Sequence, residues 1–334
     1  MIRNLKIKPS DDWVDYDLKI TLKPCYKCNQ MCWYCHEYDN STPVWTEDQC
    51  DVVINKLKAL PPRFKKIFIY FYGGEPTLSK NWEYLHYQLY EKLADRELFI
   101  QTQTNMSISI DRLRLFLDKS VNRPANHIID ICSSYHLDKQ LVEQFGEKML
   151  LCNEFDCCGL CFFSTEIERE EQMIREFKYL LKLFPGKIKL KFTQYANLKK
   201  LNSDRYNELL EDEYLLGDDN GEQLEYRYFM RKYPKWEEYL EPGWDFIVND
   251  SETINYSELM NRGIHYKLKY MHCKAGSKNL VINHDLKVYR CNDYFYQNIG
   301  GVDITDVCFD NFLSCDVVCL NKICTDGLDH EKYR

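Results

Sequence analysis

The chain predicts an α/β protein in which residues 17 to about 200 form an open (β/α)6 barrel and a cysteine-rich segment follows after residue 270. Three observations lead there. Short apolar runs with strand periodicity alternate with amphipathic helical runs over the first 200 residues. A group of cysteines stands directly after the first of those strands. A second group closes the sequence, after a stretch in which the alternation breaks down.

The elements follow in order. "DLKITLKP" (17–24) has strand periodicity and runs straight into the first cysteine loop. "TEDQCDVVINKLKAL" opens with a capping box, Thr46 to Gln49, keeps helical spacing and is stopped by Pro61 and Pro62. "KKIFIYFYGGEP" reads as a buried strand ending in a glycine turn, "NWEYLHYQLYEKLADR" as a helix and "ELFIQTQTN" as a strand. Then come a helix near 109–119, a strand at "HIIDICSS", a helix over about 138–150, a strand at "GLCFFS", a helix over about 166–183 and a strand at "KIKLKF". Strands separated by helices pair in parallel through right-handed crossovers, because parallel neighbours need a long connection that packs on the sheet. A doubly wound sheet shares this periodicity, and in either arrangement the C-terminal ends of the strands carry the site.

Beyond residue 200 the rhythm changes. Residues 204–270 are rich in Tyr, Glu, Asp and Asn and read as a connecting region with short elements. "KNLVINHDLKVYRC" is a hairpin signal, two strand-like runs about "NHDLK", bracketed by Cys273 and Cys291. The chain thus divides into an N-terminal segment 1–16, a core barrel 17–200, a connecting region 201–270 and a cysteine-rich module 271–334.

Composition excludes several classes. With 45% hydrophobic and 29% charged residues the chain is globular. Its apolar runs, such as Ile67 to Tyr72, are too short to span a bilayer, and "MIRNLKIKPSDDW" lacks the apolar core of a signal peptide, so a cytoplasmic protein without membrane partners is expected. In that compartment the sixteen cysteines suggest metal ligation rather than a disulfide framework. A net charge of −8 argues against a broad nucleic-acid surface, although Lys187, Lys189 and Lys191 could line a local basic groove.

Within "KPCYKCNQMCWYCHEYDN", Cys28, Cys32 and Cys35 stand in C-x3-C-x2-C spacing, so one compact turn can direct three thiolates at one metal centre. Cys25 offers a fourth ligand, which leaves a closed zinc site as the alternative. About forty residues on, Gly73, Gly74, Glu75 and Pro76 end the next strand. The glycines permit close backbone approach with bare amides, and Glu75 supplies a carboxylate for an ammonium group.

On these two motifs the chain resembles the radical S-adenosylmethionine (SAM) superfamily. Cys28, Cys32 and Cys35, with Tyr34 before the third cysteine, match its cluster motif, and Gly73-Gly74-Glu75-Pro76 its methionine-binding motif. The resemblance implies a partial (β/α)6 TIM-like barrel and a [4Fe-4S] cluster on three cysteines whose fourth iron binds SAM. It also implies reductive cleavage of SAM to a 5′-deoxyadenosyl radical that abstracts a substrate hydrogen, and an electron-donating partner such as flavodoxin or ferredoxin. Asn105 in "TQTN" and Ser133 and Ser134 in "CSSYH" occupy places where such barrels contact SAM. Capping of the following helices is the competing account. His136 is a candidate for protonating or orienting substrate.

The last segment resembles the SPASM/twitch extension of the same superfamily, which implies an auxiliary Fe-S cluster, [4Fe-4S] in type. Cys273, Cys291, Cys319 and Cys324 are the assigned ligands, with Cys315 and then Cys308 as substitutes, on a hairpin outside the barrel. A zinc knuckle is the alternative. The family has glycine five residues before the second cysteine, where this chain has Leu286. Cys157, Cys158 and Cys161 in "DCCGLC" read as buried core thiols. Tyr228, Trp236 and Trp244 suit either a substrate pocket or the core. Only about 16 residues precede the first strand, too few for a leader-binding domain. That favours oxidation or rearrangement of a small metabolite, such as a sugar or nucleotide-linked intermediate, over maturation of a peptide or protein, and either over a non-enzymatic metal module.

Overall fold

The computed structural model describes residues 4–8, 15–32, 35, 39–137, 139–166, 169–191, 229, 231–239, 245–255, 258–259, 262, 271–296, 298–318 and 332–333. A short strand β1 (Asn4–Lys8) comes first, within the segment for which the sequence predicted none. The six expected strands follow: β2 (Leu18–Leu22), β3 (Lys66–Phe71), β4 (Glu97–Thr104), β5 (His127–Tyr135), β6 (Cys158–Ser164) and β7 (Ile188–Lys191). Each pairs in parallel with its sequence neighbour. Between them lie α1 (Glu47–Lys58), α2 (Trp82–Lys92), α3 (Ile110–Ser120), α4 (Val142–Glu154) and α5 (Glu170–Leu183). Among the described residues no helix is long and apolar enough to cross a membrane.

Side-chain alternation gives the sheet two chemically different faces. Leu18, Ile20, Leu22, Ile67, Ile69, Phe71, Leu98, Ile100, Ile129 and Ile131 are buried in one core with Val53, Leu57, Leu85, Leu89, Phe116, Phe145 and Phe177 of the helices. The residues between them, such as Lys19, Tyr70, Gln101 and Asp130, fall on the other, concave face. Local signals hold where the sequence carries them. The Thr46–Gln49 capping box starts α1 with both reciprocal hydrogen bonds, and buried Arg96 takes up the carbonyls of Leu60, Pro61 and Phe64 beyond its end. The fourth helix starts at Val142 rather than near 138, with Leu141 as an N-cap that makes no side-chain bond.

The C-terminal hairpin does not stand outside the barrel, as expected from the sequence. Its first strand, β11 (Asn279–Ile282), lies parallel to β2 in the register Asn279↔Lys19 to Ile282↔Leu22. With β12 (Lys287–Tyr289) and β13 (Val302–Asp303) it extends the barrel sheet to nine strands, ordered β13-β12-β11-β2-β3-β4-β5-β6-β7. The N-terminal strand joins a second sheet, β14-β10-β15-β1-β8-β9, with β8 (Asp245–Val248), β9 (Glu252–Asn255), β10 (His272–Cys273), β14 (Val317–Val318) and β15 (Lys332–Tyr333). Residues 249–251 join β8 to β9, with Asn249 and Asp250 at φ of 54° and 59°, a left-handed conformation that Asn and Asp tolerate. Trp236 stacks on Tyr233 at 4.3 Å and packs against Phe177, a core role. Tyr228 and Trp244 lie outside the described residues.

In the β11–β12 turn Leu286 adopts a conformation that favours glycine: its φ is 63°, and its N–H donates to Asn283 O at 2.9 Å. A non-glycine residue there costs about 1–2 kcal/mol, offset by packing of the side chain on the core. Leu286→Ala keeps the strain and loses the packing, so it is expected to destabilise by about 1–2 kcal/mol. Leu286→Gly should be less destabilising than the alanine variant, reversing the usual order. Chemical denaturation of the two variants checks this.

Candidate functional site

The site begins where β2 and β3 run out at their C-terminal ends. Beyond the strands the two chains stay in contact: Tyr72 N donates to Leu22 O, Gly74 N to Cys25 O at 3.1 Å and Glu75 N to Lys27 O at 2.7 Å. The glycine turn therefore lies flat on the cysteine loop. A Cβ on Gly73, whose φ is 115°, would fall 2.5 Å from Cys25 O, and one on Gly74 would fall 2.3 Å from Lys27 O. Close approach is what the glycines provide. The amides of Gly74 and Glu75 are not bare as the sequence reading had them, because the cysteine-loop carbonyls accept them. Pro76 opens a 3-10 turn, Pro76–Leu78, with Glu75 as its N-cap.

Glu75 is only 1% exposed. Its Oε1 accepts from Thr77 N (3.0 Å), Thr77 Oγ1 (2.5 Å) and Thr104 Oγ1 (2.7 Å), and its Oε2 accepts from Asn105 N (2.6 Å). Burial pushes its carboxyl above the ordinary range, and the four hydrogen bonds oppose that. A carboxylate engaged in this way stitches the turn to the end of β4. It is not presented to a ligand ammonium in the way the motif suggested.

Asn105 carries the connection onward. Its Oδ1 accepts from Ser107 N at 2.9 Å, and its Nδ2 lies 3.2 Å from Asn29 Oδ1 and 3.6 Å from Cys28 Sγ. The N-cap of α3 is Ser109, so Asn105 serves the cysteine loop and not the helix. Gln140 Nε2 donates to Asn105 O, and Lys148 Nζ to Met106 O, both at 2.6 Å. Arg112 binds Thr77 O and Ser79 O while pairing with Glu83, which clamps the 3-10 turn from α3. No local motif marks Arg112, Gln140 or Lys148, since these partners are 29 or more residues away in sequence and only the fold brings them together.

The four loop cysteines divide into two kinds. Cys25 is fully buried, its thiol donates to Glu75 O at 3.6 Å, and burial followed by the Glu75 charge pushes its pKa up to about 12. A thiol held neutral at physiological pH is a poor metal ligand. A closed zinc site on Cys25 would have to break that hydrogen bond and ionise this buried thiol. Cys28 and Cys35 are half-buried and Cys32 is buried, on one loop in which Cys35 N donates to Cys32 O at 3.0 Å. Among the described residues no three His, Cys, Asp or Glu side chains form a ready-made metal group. Tyr34 lies outside the described residues.

On the concave face next to this loop, Lys23 is fully buried, with its Nζ 4.7 Å from the ring centre of Phe295, 4.9 Å from Tyr296, 5.3 Å from Tyr72 and 5.8 Å from Tyr26. Tyr26 Oη donates to Asn283 Oδ1 at 2.7 Å. The cysteine loop is thereby bolted to the hairpin turn and to α7 (Asn292–Tyr296), the second of two short helices after α6 (Ala275–Lys278). Ser134 faces inward and accepts from Gln103 Nε2 at 2.8 Å. Ser133 points to the opposite, helix side, where it is buried beside Cys161. Neither serine caps α4. Cys157, Cys158 and Cys161 are buried in the main core.

In the C-terminal region Cys273 and Cys291, each 6% exposed, form a small cluster with Ala275 and Val317. Gly276 lets the chain at 315–317 come close, since a Cβ there would fall 2.4 Å from Cys315 O. Cys315 Sγ accepts from Arg290 Nη1 at 3.1 Å, which holds its thiol below the usual pKa. Cys308 is exposed at the start of α8 (Phe309–Phe312). Cys319 and Cys324 lie outside the described residues.

Residues 22–130 match the radical SAM superfamily. No curated protein sequence matches the chain significantly. Among solved structures the fold is similar to native anSMEcpe with bound AdoMet and Kp18Cys peptide, at a TM-score of 0.53 and 13% identity over 89% of this chain and 80% of that one. A histidine-tagged form of anSMEcpe with bound AdoMet gives 0.55 and 12% over the same shares. BtrN in complex with AdoMet and 2-DOIA gives 0.44 and 14% over 90% and 82%. At these identities the likeness is one of fold.

Glu75→Gln tests the stitching role. Whichever way the amide turns, its NH2 meets a backbone N–H, of Thr77 or of Asn105, so a loss of about 1–3 kcal/mol of folding stability is expected in protein without SAM. Urea denaturation reads it. Unchanged stability together with weakened SAM binding would return the carboxylate to a direct ligand role.

Proposed function

We propose that this chain, whose residues 22–130 are a radical SAM domain, is an enzyme that cleaves SAM reductively at Cys28, Cys32 and Cys35 and uses the resulting radical to take a hydrogen atom from a substrate on the concave face. The observation that carries the proposal is the glycine turn seated on the cysteine loop, with the Cys25 thiol hydrogen-bonded to that turn at Glu75 O. The donor set fits three-thiolate ligation, and Gly73 and Gly74 leave no side chain between the turn and that loop. Bound there, a [4Fe-4S] cluster and SAM supply the electron transfer and the 5′-deoxyadenosyl radical. Asn105, positioned by Glu75, orients Cys28 and the loop around it. The backbone at 73–76 lines the SAM side, and Ser134 with Gln103 lies further along the same face. Cys273 and Cys291, with Cys319 and Cys324 and with Cys315 as the substitute for either of these two, are proposed to hold an auxiliary cluster that receives an electron from the substrate. A small external donor protein supplies the reducing electron.

A small metabolite is the favoured substrate, because the inward residues Tyr70, Gln101, Gln103, Asp130 and Ser134 already form a polar hydrogen-bonded wall. The second reading, peptide maturation, draws on the similarity to anSMEcpe, which was captured with the Kp18Cys peptide.

Protein reconstituted without air is expected to carry about eight irons, of which the Cys28→Ala, Cys32→Ala, Cys35→Ala triple variant loses about half. Cys25→Ala should keep them all. Cys273→Ala with Cys291→Ala should lose the other half, and its thermal transition must be compared with wild type, since β11 is a strand of the main sheet. Reduced wild-type protein given SAM should release 5′-deoxyadenosine and methionine. Stoichiometric zinc without a brown chromophore would overturn the proposal.

A further inference from the structure

We infer that the barrel rim between the ends of β5 and β7 is a binding site for an anionic group of the substrate, a carboxylate or a phosphate, held by Lys191 and His136. The site as such stands on this chain's own geometry, and only its assignment to the substrate rests on the function proposed above.

The argument starts from alternation. Ile188 and Leu190 of β7 are buried in the helix-side core, so Lys189 and Lys191 fall on the concave face. Lys191 lies at the rim with its Nζ 5.9 Å from the ring centre of Phe162, a concave-face residue of β6. His136 follows Ser134 by two residues and shares its face, and His136 Nδ1 lies 3.0 Å from Ser164 Oγ at the end of β6. Three adjacent strand ends thus bring a lysine, an imidazole and a hydroxyl to one corner.

The local charges make that corner cationic. The imidazole is held neutral, its pKa brought down to about 3 by burial and then by the charges of Lys191 and Lys139. Among the described residues the carboxylates near this end are engaged elsewhere: Glu75 with its four donors, and Glu166 beside Arg169 at 3.6 Å. Asp130 lies deeper on the same face, hydrogen-bonded by Gln101 Nε2 at 2.6 Å. Among the described residues neither Lys191 nor Lys139 forms an ion pair. An anion seated there gains the attraction of both lysines. It also offsets the lysine charges that, after burial, lower the imidazole pKa, so the proton affinity of His136 rises and a protonated ring adds a charge-assisted hydrogen bond. In a chain of net charge −8 such a corner does not follow from overall composition.

Calorimetric titration of the reconstituted full-length protein, with SAM present, tests the inference using inorganic phosphate and acetate as probes, each in two buffers of different ionisation enthalpy. Saturable binding of at least one probe with proton uptake is expected, and the tighter of the two identifies the substrate's anionic group. Lys191→Met should weaken it about tenfold, equivalent to about 1.4 kcal/mol, Lys191→Arg should retain it, and His136→Gln should remove the proton uptake. Binding of neither anion, or equal binding by Lys191→Met, overturns the site. Binding that appears only when SAM is left out assigns the corner to the cofactor's carboxylate and overturns the substrate assignment. Release of 5′-deoxyadenosine by the same wild-type preparation is scored separately, so failure of the anion site and failure of the radical SAM reading are told apart.

Discussion

The site depends on one buried carboxylate. Glu75 lies on the helix side of the sheet, out of water, and a charge in that position persists only if its lone pairs are filled. Thr77, Thr104 and the amide of Asn105 fill them. Because the acceptor is ionic and its donors come from two strand ends, the turn after β3 and the bend after β4 are fixed to each other. Asn105 then reaches Cys28, Gln140 just before α4 and Lys148 within it hold the bend, and Arg112 holds the turn from α3. The loop that carries Cys28, Cys32 and Cys35 thus rests on a hydrogen-bonded scaffold drawn from two strand ends.

A second constraint comes from the other edge of that loop. The hydrogen-bonding edge of β2 is covered by β11, which leaves no open strand edge beside the cysteines. The same contact seats Asn283, His284, Phe295 and Tyr296 around Tyr26 and Lys23. A buried lysine surrounded by aromatic rings is held by packing as much as by charge. The C-terminal module is therefore part of the wall of the first site and is not an appendage to it, and a change at Cys291 is one residue away from α7 and two strands from the cysteine loop.

What the sequence made legible was local or periodic. The alternation of Leu18, Ile20 and Leu22, the Thr46–Gln49 box and the spacing of Cys28, Cys32 and Cys35 each lie within a few residues, and the order of strands and helices followed from them. What it hid was decided at long range. Pairing of Asn279 with Lys19 spans 260 positions and has no local mark. Glu75 reads as a ligand in the motif because its real partners, Thr104 and Asn105, lie on another strand. The same distance conceals why Cys25 differs from Cys28: one faces the interior under Glu75 O, the other faces Asn105. Leu286 was legible as a departure, yet only its φ shows that the chain keeps the glycine conformation and offsets the strain with side-chain packing.

Net charge misleads for a related reason. In a barrel of strands each followed by a helix, the helix N-termini gather at the same end as the strand C-termini, and their dipoles add positive potential there. This chain places Glu47, Asp48, Glu83, Asp111, Glu143, Glu170 and Glu171 in the first turns of the five barrel helices. Those carboxylates stabilise the helices from outside the sheet, and several are tied there, Glu83 by Arg112 and Glu170 by Lys232 and Tyr233. The concave face receives the opposite sign from Lys19, Lys23, Lys189 and Lys191. A protein acidic overall thus still places a lysine just after β2, Lys23, and another at the end of β7, Lys191, because the acids follow the helices while these lysines follow the inward alternation of the two strands.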